Sequence, residues 1–296
     1  MATLYIVATP IGNLEDISLR ALRILGEVDF ILCEDTRTTK VLLDHYQLTT
    51  PTISYHQHTD EQKTNKIIEL LANGKNLALV SEAGTPGISD PGGKLIQKVI
   101  EKFGVGTMHT SPVGAQNMVP VQIESVPGPS AITAALSISG IPTDKFVFMG
   151  FPPHKKGRQT FIKKILVSEY PVVVYESKYR IIKFLEELNE LAKKLTEKKE
   201  QASEKNYKLQ ITNYPVEAPQ MRGQGGGKSQ TNSPSASLGV SKFKIPNKIN
   251  LTSVVVVREL SKMHETVYRG EIKSIIEKIK ENKDEQKGEF VVIIGK

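Results

Sequence analysis

Short runs of valine, isoleucine and leucine recur along the chain, and most are followed by a stretch whose apolar residues repeat at helical spacing. This alternation of buried strands and amphipathic helices is typical of an α/β protein and argues against a bundle or a β-sandwich. In the first helical stretch Ile17, Ala21 and Ile24 share one face, and Asn13 is a candidate N-cap. The predicted strands are residues 4–8, 30–33, 77–80, 121–126, 146–150, 172–175, 253–257 and 290–294.

A chain of 296 residues is long enough for two domains. Glycine, proline and polar residues cluster at 139–145, between two strand-helix series. The sequence therefore predicts an N-terminal α/β domain over 1–141 and a C-terminal α/β domain over 142–296. Within the second domain, residues from about 196 to 250 are predicted to hold a flexible insertion, because much of this stretch has few large apolar residues. Residues 104–120 are predicted to form an extended loop.

The composition narrows the classes of protein that the chain can belong to. A net charge of +7 favours an anionic partner by long-range attraction. Cys33 is the one cysteine, so an internal disulfide is excluded, and no cysteines or histidines have metal-ligand spacing. The sequence shows neither a secretory leader nor an apolar stretch long enough to span a bilayer, so we expect a cytoplasmic protein without a metal site.

Three loops follow predicted strands and begin or precede helices, at residues 8–16, 81–92 and 126–131. In open α/β sheets ligands bind beyond the carboxyl ends of the strands. The first loop lacks the glycine patterns that bind dinucleotides or nucleoside triphosphates, which disfavours NAD and ATP. The second loop mixes glycines that permit close backbone approach with prolines that stiffen it, which suits a small polar ligand, although a tight connection is the alternative. The third could be simply a capped helix start.

Five motifs occur in order along the chain: TPIGN (9–13), CEDTR (33–37), EAGTPGISDPG (82–92), PGPSA (127–131) and RELSK (258–262). Taken together, they resemble those of the ribosomal RNA small-subunit methyltransferase I family, within the tetrapyrrole-methylase-like class of S-adenosylmethionine enzymes. The resemblance implies two α/β domains with mixed sheets, a homodimer, and S-adenosylmethionine in the cleft between the domains. It also implies methylation of the ribose 2'-hydroxyl of a cytidine in the decoding region of 16S ribosomal RNA.

The same resemblance assigns site residues. The cofactor-binding residues that it implies are Pro10, Gly84, Thr85, Ile88, Ser130 and Ala131 in the first domain and Tyr175, Glu259 and Leu260 in the second. The basic residues expected to contact RNA phosphates are Lys155, Lys156, Arg158 and Arg37. For Arg37 a salt bridge with Asp35 is an equally good account.

Methyl transfer to a hydroxyl needs alignment of the reactants, and a general base helps to remove the proton. The candidate bases are the carboxylates Glu82, Asp90 and Glu176. Asp90 could instead brace its own loop, and Glu176 could bind the cofactor. Two other functions stay open: methylation of a tetrapyrrole or a protein side chain, and a non-catalytic RNA-binding role in ribosome assembly.

Overall fold

A computed structural model of the protein describes residues 1–56, 61–104, 120–212 and 253–295, with side chains up to Lys198 in the helix that ends the third range. Its strands form two sheets of five. The first sheet is wholly parallel and has the order β3-β2-β4-β1-β5. Its strands are β1 (Ala2–Val7), β2 (Phe30–Cys33), β3 (Thr52–Ser54), β4 (Leu77–Leu79) and β5 (Val121–Val126).

Four helices cover both faces of the first sheet. They are α1 (Leu19–Glu27), α2 (Thr36–His45), α3 (Glu61–Ala72) and α4 (Gly92–Phe103). Alternate residues of β1 point to opposite sides: Leu4 packs with α3 and α4, whereas Val7 packs with α1 and α2. Strands β1, β2 and β4 are buried on both faces, so their sequences read as apolar runs, which is why they were predictable.

The second sheet is mixed and has the order β6-β7-β10-β8-β9, in which only β6 and β7 are parallel. Its strands are β6 (Val147–Phe148), β7 (Val172–Ser177), β8 (Val254–Arg258), β9 (Thr266–Gly270) and β10 (Glu289–Ile294). One face packs around Phe184 with the helices α6 (Arg158–Val167), α7 (Ile181–Thr212) and α8 (Ile272–Glu281). The other face is covered by α5 (Ala131–Ser139).

Helix α5 belongs by packing to the second sheet, although it was predicted within the first domain. Its buried residues Ile132, Ala135 and Leu136 contact the valines and isoleucines of β7, β8 and β10. The chain therefore passes from one sheet to the other in the segment 127–130. A division of domains at residue 141 stays a prediction, and the packing of α5 favours an earlier division.

All eight predicted strands are present in the described part of the chain, with shifts of a few residues at their ends. Strands β3 (TIS) and β9 (TVYRG) were not predicted, because each contains few large apolar residues. The prediction that Asn13 is the N-cap of the first α-helix was wrong. Asn13 accepts a hydrogen bond from the N–H of Glu15 and caps a short 3-10 helix (Leu14–Asp16), whereas Ser18 caps α1.

Helix α7 continues to Thr212, into the predicted insertion. The rest of the insertion and most of the predicted loop 104–120 lie outside the described residues. Among the described helices, none has the length and the apolar character needed to cross a membrane.

Candidate active site

The three loops predicted from the sequence meet at the carboxyl end of the strands of the first sheet, which we call the loop edge of this sheet. Strand β1 lies between β4 and β5 and is parallel to both, so the segments that follow these strands leave the sheet side by side. Thr9 and Gly84 form an isolated bridge in which each backbone N–H donates to the other carbonyl at 3.0 Å. The predicted gathering of the loops is confirmed, and the first two are joined through their backbones.

Gly84 occupies a position where a side chain would disturb this junction. Its φ of +81° is left-handed, a conformation that favours glycine. A Cβ atom there would lie 3.2 Å from Cγ2 of Ile11 and 3.6 Å from the carbonyl oxygen of Pro129. Pro10, next to the bridge, is buried. The glycine therefore allows the first and third loops to close on the second.

The second loop is braced by its own carboxylate. Asp90 accepts hydrogen bonds from the N–H of Gly87 at 2.8 Å and of Gly92 at 2.7 Å. Of the two roles open to Asp90, this geometry supports bracing. The tip of the loop carries Ile88, which is 46% exposed, and Ser89, whose φ is +64°.

The third loop leads from β5 into α5 and is hydrogen-bonded to the second loop. Thr85 Oγ1 donates to the carbonyl of Pro129 at 3.1 Å. Ser130 occupies the N-cap position of α5, but its hydroxyl makes no capping hydrogen bond. Ser130 and Ala131 are both half-buried at this junction. The structure therefore brings Thr85, Ser130 and Ala131 together, and their role in cofactor binding stays a prediction.

The second sheet contributes Tyr175 to the same region. Burial raises the pKa of Tyr175 to about 12, although a hydrogen bond with the backbone of Ile132 opposes this shift. The ring contacts the rings of Phe148 and Phe151, with centroids 5.0 and 5.4 Å away. Because Ile132 lies in the first turn of α5, Tyr175 is placed close to Ser130.

The RELSK loop follows β8 and has an unusual backbone. Glu259 has a φ of +51°. Its carboxylate accepts from the N–H of Glu289 at 2.9 Å and from Nζ of Lys262 at 3.1 Å. Burial opposes ionisation, yet these two donors hold the pKa of Glu259 below its ordinary value. Leu260 packs against the apolar cluster under α5.

This loop also reaches the first loop. Ser261, with a φ of +65°, donates a hydrogen bond from its hydroxyl to Oδ2 of Asp16. The aliphatic part of Lys262 lies where a Cβ on Gly12 would stand. The two sheets are therefore linked on the side where the three loops gather, and neither contact was predicted.

Glu34 is a carboxylate at the loop edge that the sequence analysis did not select. It directly follows β2, the neighbour of β4, and is half-buried. Burial raises the pKa of Glu34, and the nearby charges of Glu82 and Asp90 raise it further. The sequence signal that could have identified Glu34 was its position in the CEDTR motif, directly after a predicted strand. The three carboxylates make the loop edge of the sheet negative.

Two predicted site residues are placed differently from what was expected. Arg158 is 5% exposed, because its Nε donates to Glu187 at 2.5 Å and its Nη1 donates to the carbonyl of Pro153 at 3.2 Å. Glu176 is 1% exposed and pairs with Nη2 of Arg180 at 2.9 Å. A buried guanidinium does not present itself to a surface phosphate, and a buried, paired carboxylate is a poor general base. Both side chains instead take part in buried ion pairs that join α6 and α7 to the end of β7.

The other basic candidates are exposed. Lys155 and Lys156 lie on the loop after β6. The side chain of Arg37 is 90% exposed and pairs with Asp35 at 2.7 Å. Asp35 accepts hydrogen bonds from the side chain and from the backbone N–H of Arg37, and these lower the pKa of Asp35 to about 2. The salt bridge left open for Arg37 is therefore present.

Cys33 is buried at the end of β2, and burial raises the pKa of its thiol. Over the described ranges, no three His, Cys, Asp or Glu side chains are grouped so that they could hold a metal ion.

The chain folds into a parallel sheet with three loops at the carboxyl ends of its strands, followed by a mixed sheet that is linked to it through the RELSK loop. Residues 3–203 match the family described as Tetrapyrrole (Corrin/Porphyrin) Methylases, and the chain belongs to this family. It is a methyltransferase that uses S-adenosylmethionine as its methyl donor.

Relatives by sequence agree with this assignment, and a solved structure shares the fold. The chain is 34% identical over 295 residues to ribosomal RNA small subunit methyltransferase I of Hydrogenobaculum sp., covering 99% of this chain and 95% of the relative. It is 40% identical over 191 residues to the protein of the same name from Thermotoga maritima, covering 64% and 78%. The crystal structure of a diphthine synthase shares the fold with a TM-score of 0.57 at 12% identity, covering 100% of this chain and 90% of that one.

Proposed function

We propose that the enzyme methylates the ribose 2'-hydroxyl of a cytidine in the decoding region of 16S ribosomal RNA. The observation that carries this proposal is the similarity to ribosomal RNA small subunit methyltransferase I along nearly the whole chain. Lys155 and Lys156 are exposed on the loop after β6, and Gly150 at the start of this loop lies close to Ser89 of the second loop. These lysines support an RNA acceptor, because they attract phosphates.

The residues at the loop edge of the first sheet fit S-adenosylmethionine. Its sulfonium is cationic, and the negative edge formed by Glu34, Glu82 and Asp90 favours a positive charge. The uncapped first amides of α5 suit the carboxylate of the ligand. When bound, the cofactor supplies an activated methyl group. We propose as its binding residues Pro10, Gly84, Thr85, Ile88, Ser130, Ala131, Tyr175, Glu259 and Leu260.

Glu82 is the proposed general base, because it is exposed at the loop edge while Asp90 and Glu176 are engaged elsewhere. A positioned base contributes roughly 10²- to 10⁴-fold. Alignment of the two reactants contributes about 7 to 11 kcal/mol, which is the larger effect. Replacement of Glu82 by Gln is therefore expected to slow methyl transfer and still leave measurable turnover.

The RNA is proposed to contact Lys155 and Lys156, with Arg37 as a further contact from the first domain. All three side chains are exposed, and Arg37 keeps unused donors beyond its bond to Asp35. Arg158 is withdrawn from this set because it is buried.

A methyl-transfer assay tests the proposal. Small subunits assembled without the modification are incubated with the enzyme and methyl-labelled S-adenosylmethionine, and the RNA is digested to nucleosides. Label is expected on the 2'-oxygen of one cytidine, and subunits that already carry the modification should take up none. Label on a base, a protein or a tetrapyrrole would overturn the proposal, and RNA binding without label would favour an assembly factor.

A homodimer in the cytoplasm is part of the same proposal. Light scattering tests the first point, since a mass near 32.7 kDa would mean a monomer. Fractionation of cells tests the second.

A further inference from the structure

Two loops of the second sheet emerge side by side, and one of them carries Lys155 and Lys156, already proposed as RNA contacts. Strands β6 and β7 are parallel neighbours, so the loop after β6 (residues 151–157) and the turn after β7 (178–180) leave the same edge. The N–H of Tyr175 donates to the carbonyl of Gly150 at 3.0 Å, at the start of the loop after β6. The two segments therefore form one continuous surface.

Arg180 fixes the two segments relative to each other. Its Nη1 donates to the carbonyl of Pro152 at 3.2 Å, and its Nε donates to Oγ of Ser177 at 3.2 Å. Its Nη2 pairs at 2.9 Å with the fully buried carboxylate of Glu176. Because Arg158 holds the next carbonyl, that of Pro153, the loop is fastened at two successive residues. These bonds fix the position of the loop after β6 relative to the end of β7.

The exposed groups on this surface are aromatic rings and lysines. Tyr179 is 84% exposed and Phe151 is 51% exposed, although aromatic residues usually bury most of their area. Lys155, Lys156 and Lys178 are exposed as well. Nζ of Lys178 lies 5.1 Å from the centroid of the Tyr179 ring. Neither segment contains an acidic residue.

Open aromatic rings among lysines match the chemistry of unpaired RNA. A base in a duplex is stacked on its neighbours and cannot stack on a side chain, whereas an unpaired base can. Lysines interact with the phosphates on either side of that base. An acidic peptide would use the lysines but would have no need of two exposed rings.

We propose that this surface binds an unpaired segment of the RNA, with one base stacked on Tyr179 and the adjacent phosphates on Lys155, Lys156 and Lys178. We call it the stacking surface. This inference rests on the proposed function, because it assumes an RNA acceptor. It adds a binding site for nucleotides that flank the methylated one, and it makes Arg180 a positioning residue.

Fluorescence anisotropy with a labelled single-stranded oligoribonucleotide tests the stacking surface. Tyr179→Ala is expected to weaken binding by at least about fivefold, the smallest effect usual for loss of one stacked base. Tyr179→Phe should bind as the wild type does, since it keeps the ring. Leu19→Ala is the matched control, because Leu19 is equally exposed (86%) on a helix of the first domain. Affinity for S-adenosylmethionine should stay unchanged in all three variants.

A duplex of the same length separates stacking from charge. Tyr179→Ala should leave duplex binding within about twofold, whereas Lys178→Ala should weaken both ligands and reduce the salt dependence by about one phosphate contact. Wild-type affinity of Tyr179→Ala for the single strand, or an equal loss on the duplex, would overturn the inference. If the wild type still places label on a ribose in that case, the proposed function survives. If the wild type labels no ribose, the proposed function itself fails.

Discussion

Nη1 of Arg158 lies 3.6 Å from Oε2 of Glu176, and the two side chains are only 6% and 0% exposed. Within the described part of the protein, Nη2 of Arg158 and Oε2 of Glu176 have no hydrogen-bond partner. Burial of two charges costs several kcal/mol unless each is compensated. Here the compensation comes from Glu187 and Arg180, each of which pairs with one member of the couple. The network thereby ties α6 and α7 to the end of β7.

The first prediction concerns the stability that this network provides. Arg158→Ala should lower the free energy of unfolding by about 3 kcal/mol, because it leaves Glu176 buried with one partner fewer. Arg37→Ala is the matched control, since the side chain of Arg37 is 90% exposed and its salt bridge contributes little. Urea denaturation of both variants measures the difference. Equal losses in the two variants would mean that the buried network does not stabilise the fold.

The second prediction separates the strain of a left-handed glycine from its role at the site. Gly84 and Gly74 have φ values of +81° and +83°, so an alanine at either position has a similar backbone cost, roughly 1 to 2 kcal/mol. A Cβ on Gly74 meets nothing within 4 Å, whereas one on Gly84 meets Ile11. Gly84→Ala should therefore lose at least about tenfold in affinity for S-adenosylmethionine, and Gly74→Ala should lose none.

Calorimetric titration measures both affinities, and thermal unfolding checks that both variants are folded. Unchanged affinity in Gly84→Ala would remove this loop from the cofactor site. A bulky replacement of Ser130 is expected to abolish binding for the same reason, because Ser130 lies at the start of α5 beside the loop.

The third prediction distinguishes a bracing carboxylate from a general base at Asp90. Asp90→Asn keeps an acceptor oxygen for the N–H groups of Gly87 and Gly92, so methyl transfer should stay within about tenfold of the wild-type rate. Asp90→Ala leaves both donors unpaired and should cost about 1 to 3 kcal/mol of stability. It should also weaken cofactor binding, since the loop loses its brace.

The methyl-transfer rate at saturating cofactor and the urea midpoint report on these two roles. A rate lowered by 10²-fold or more in Asp90→Asn, with stability intact, is the magnitude typical of a lost general base and would contradict bracing.

The fourth prediction concerns the pH dependence of stability at Glu34. Its pKa in the folded protein is raised above the ordinary value of 4.5, by burial and by Glu82 and Asp90. Proton binding by Glu34 therefore stabilises the folded protein. This contribution is complete below pH 4.5 and is lost as the pH rises through the folded-state pKa. Glu34→Gln should consequently be more stable than the wild type at neutral pH, and the advantage should vanish in acid.

Urea denaturation at a series of pH values measures this difference, with Glu15→Gln as an exposed control. An advantage of Glu34→Gln that grows as the pH falls would show that the pKa shift has the opposite sign.

The sequence alone determined the α/β class, eight of the ten described strands and the three loops at the loop edge of the first sheet. These features follow from local patterns. Buried parallel strands need apolar runs, and tight loops such as that around Gly84 need residues with special backbone freedom. The strands β3 and β9 escaped prediction because each contains few large apolar residues.

Only the tertiary structure decided which polar side chains are buried and which are accessible. Arg158 and Lys156 lie two residues apart in one basic stretch, yet one is buried and the other exposed. The difference depends on Glu176 and Glu187, which come from β7 and α7 and are distant in sequence. Electrostatic pairing and burial depend on distances in space, and a local pattern does not contain those distances.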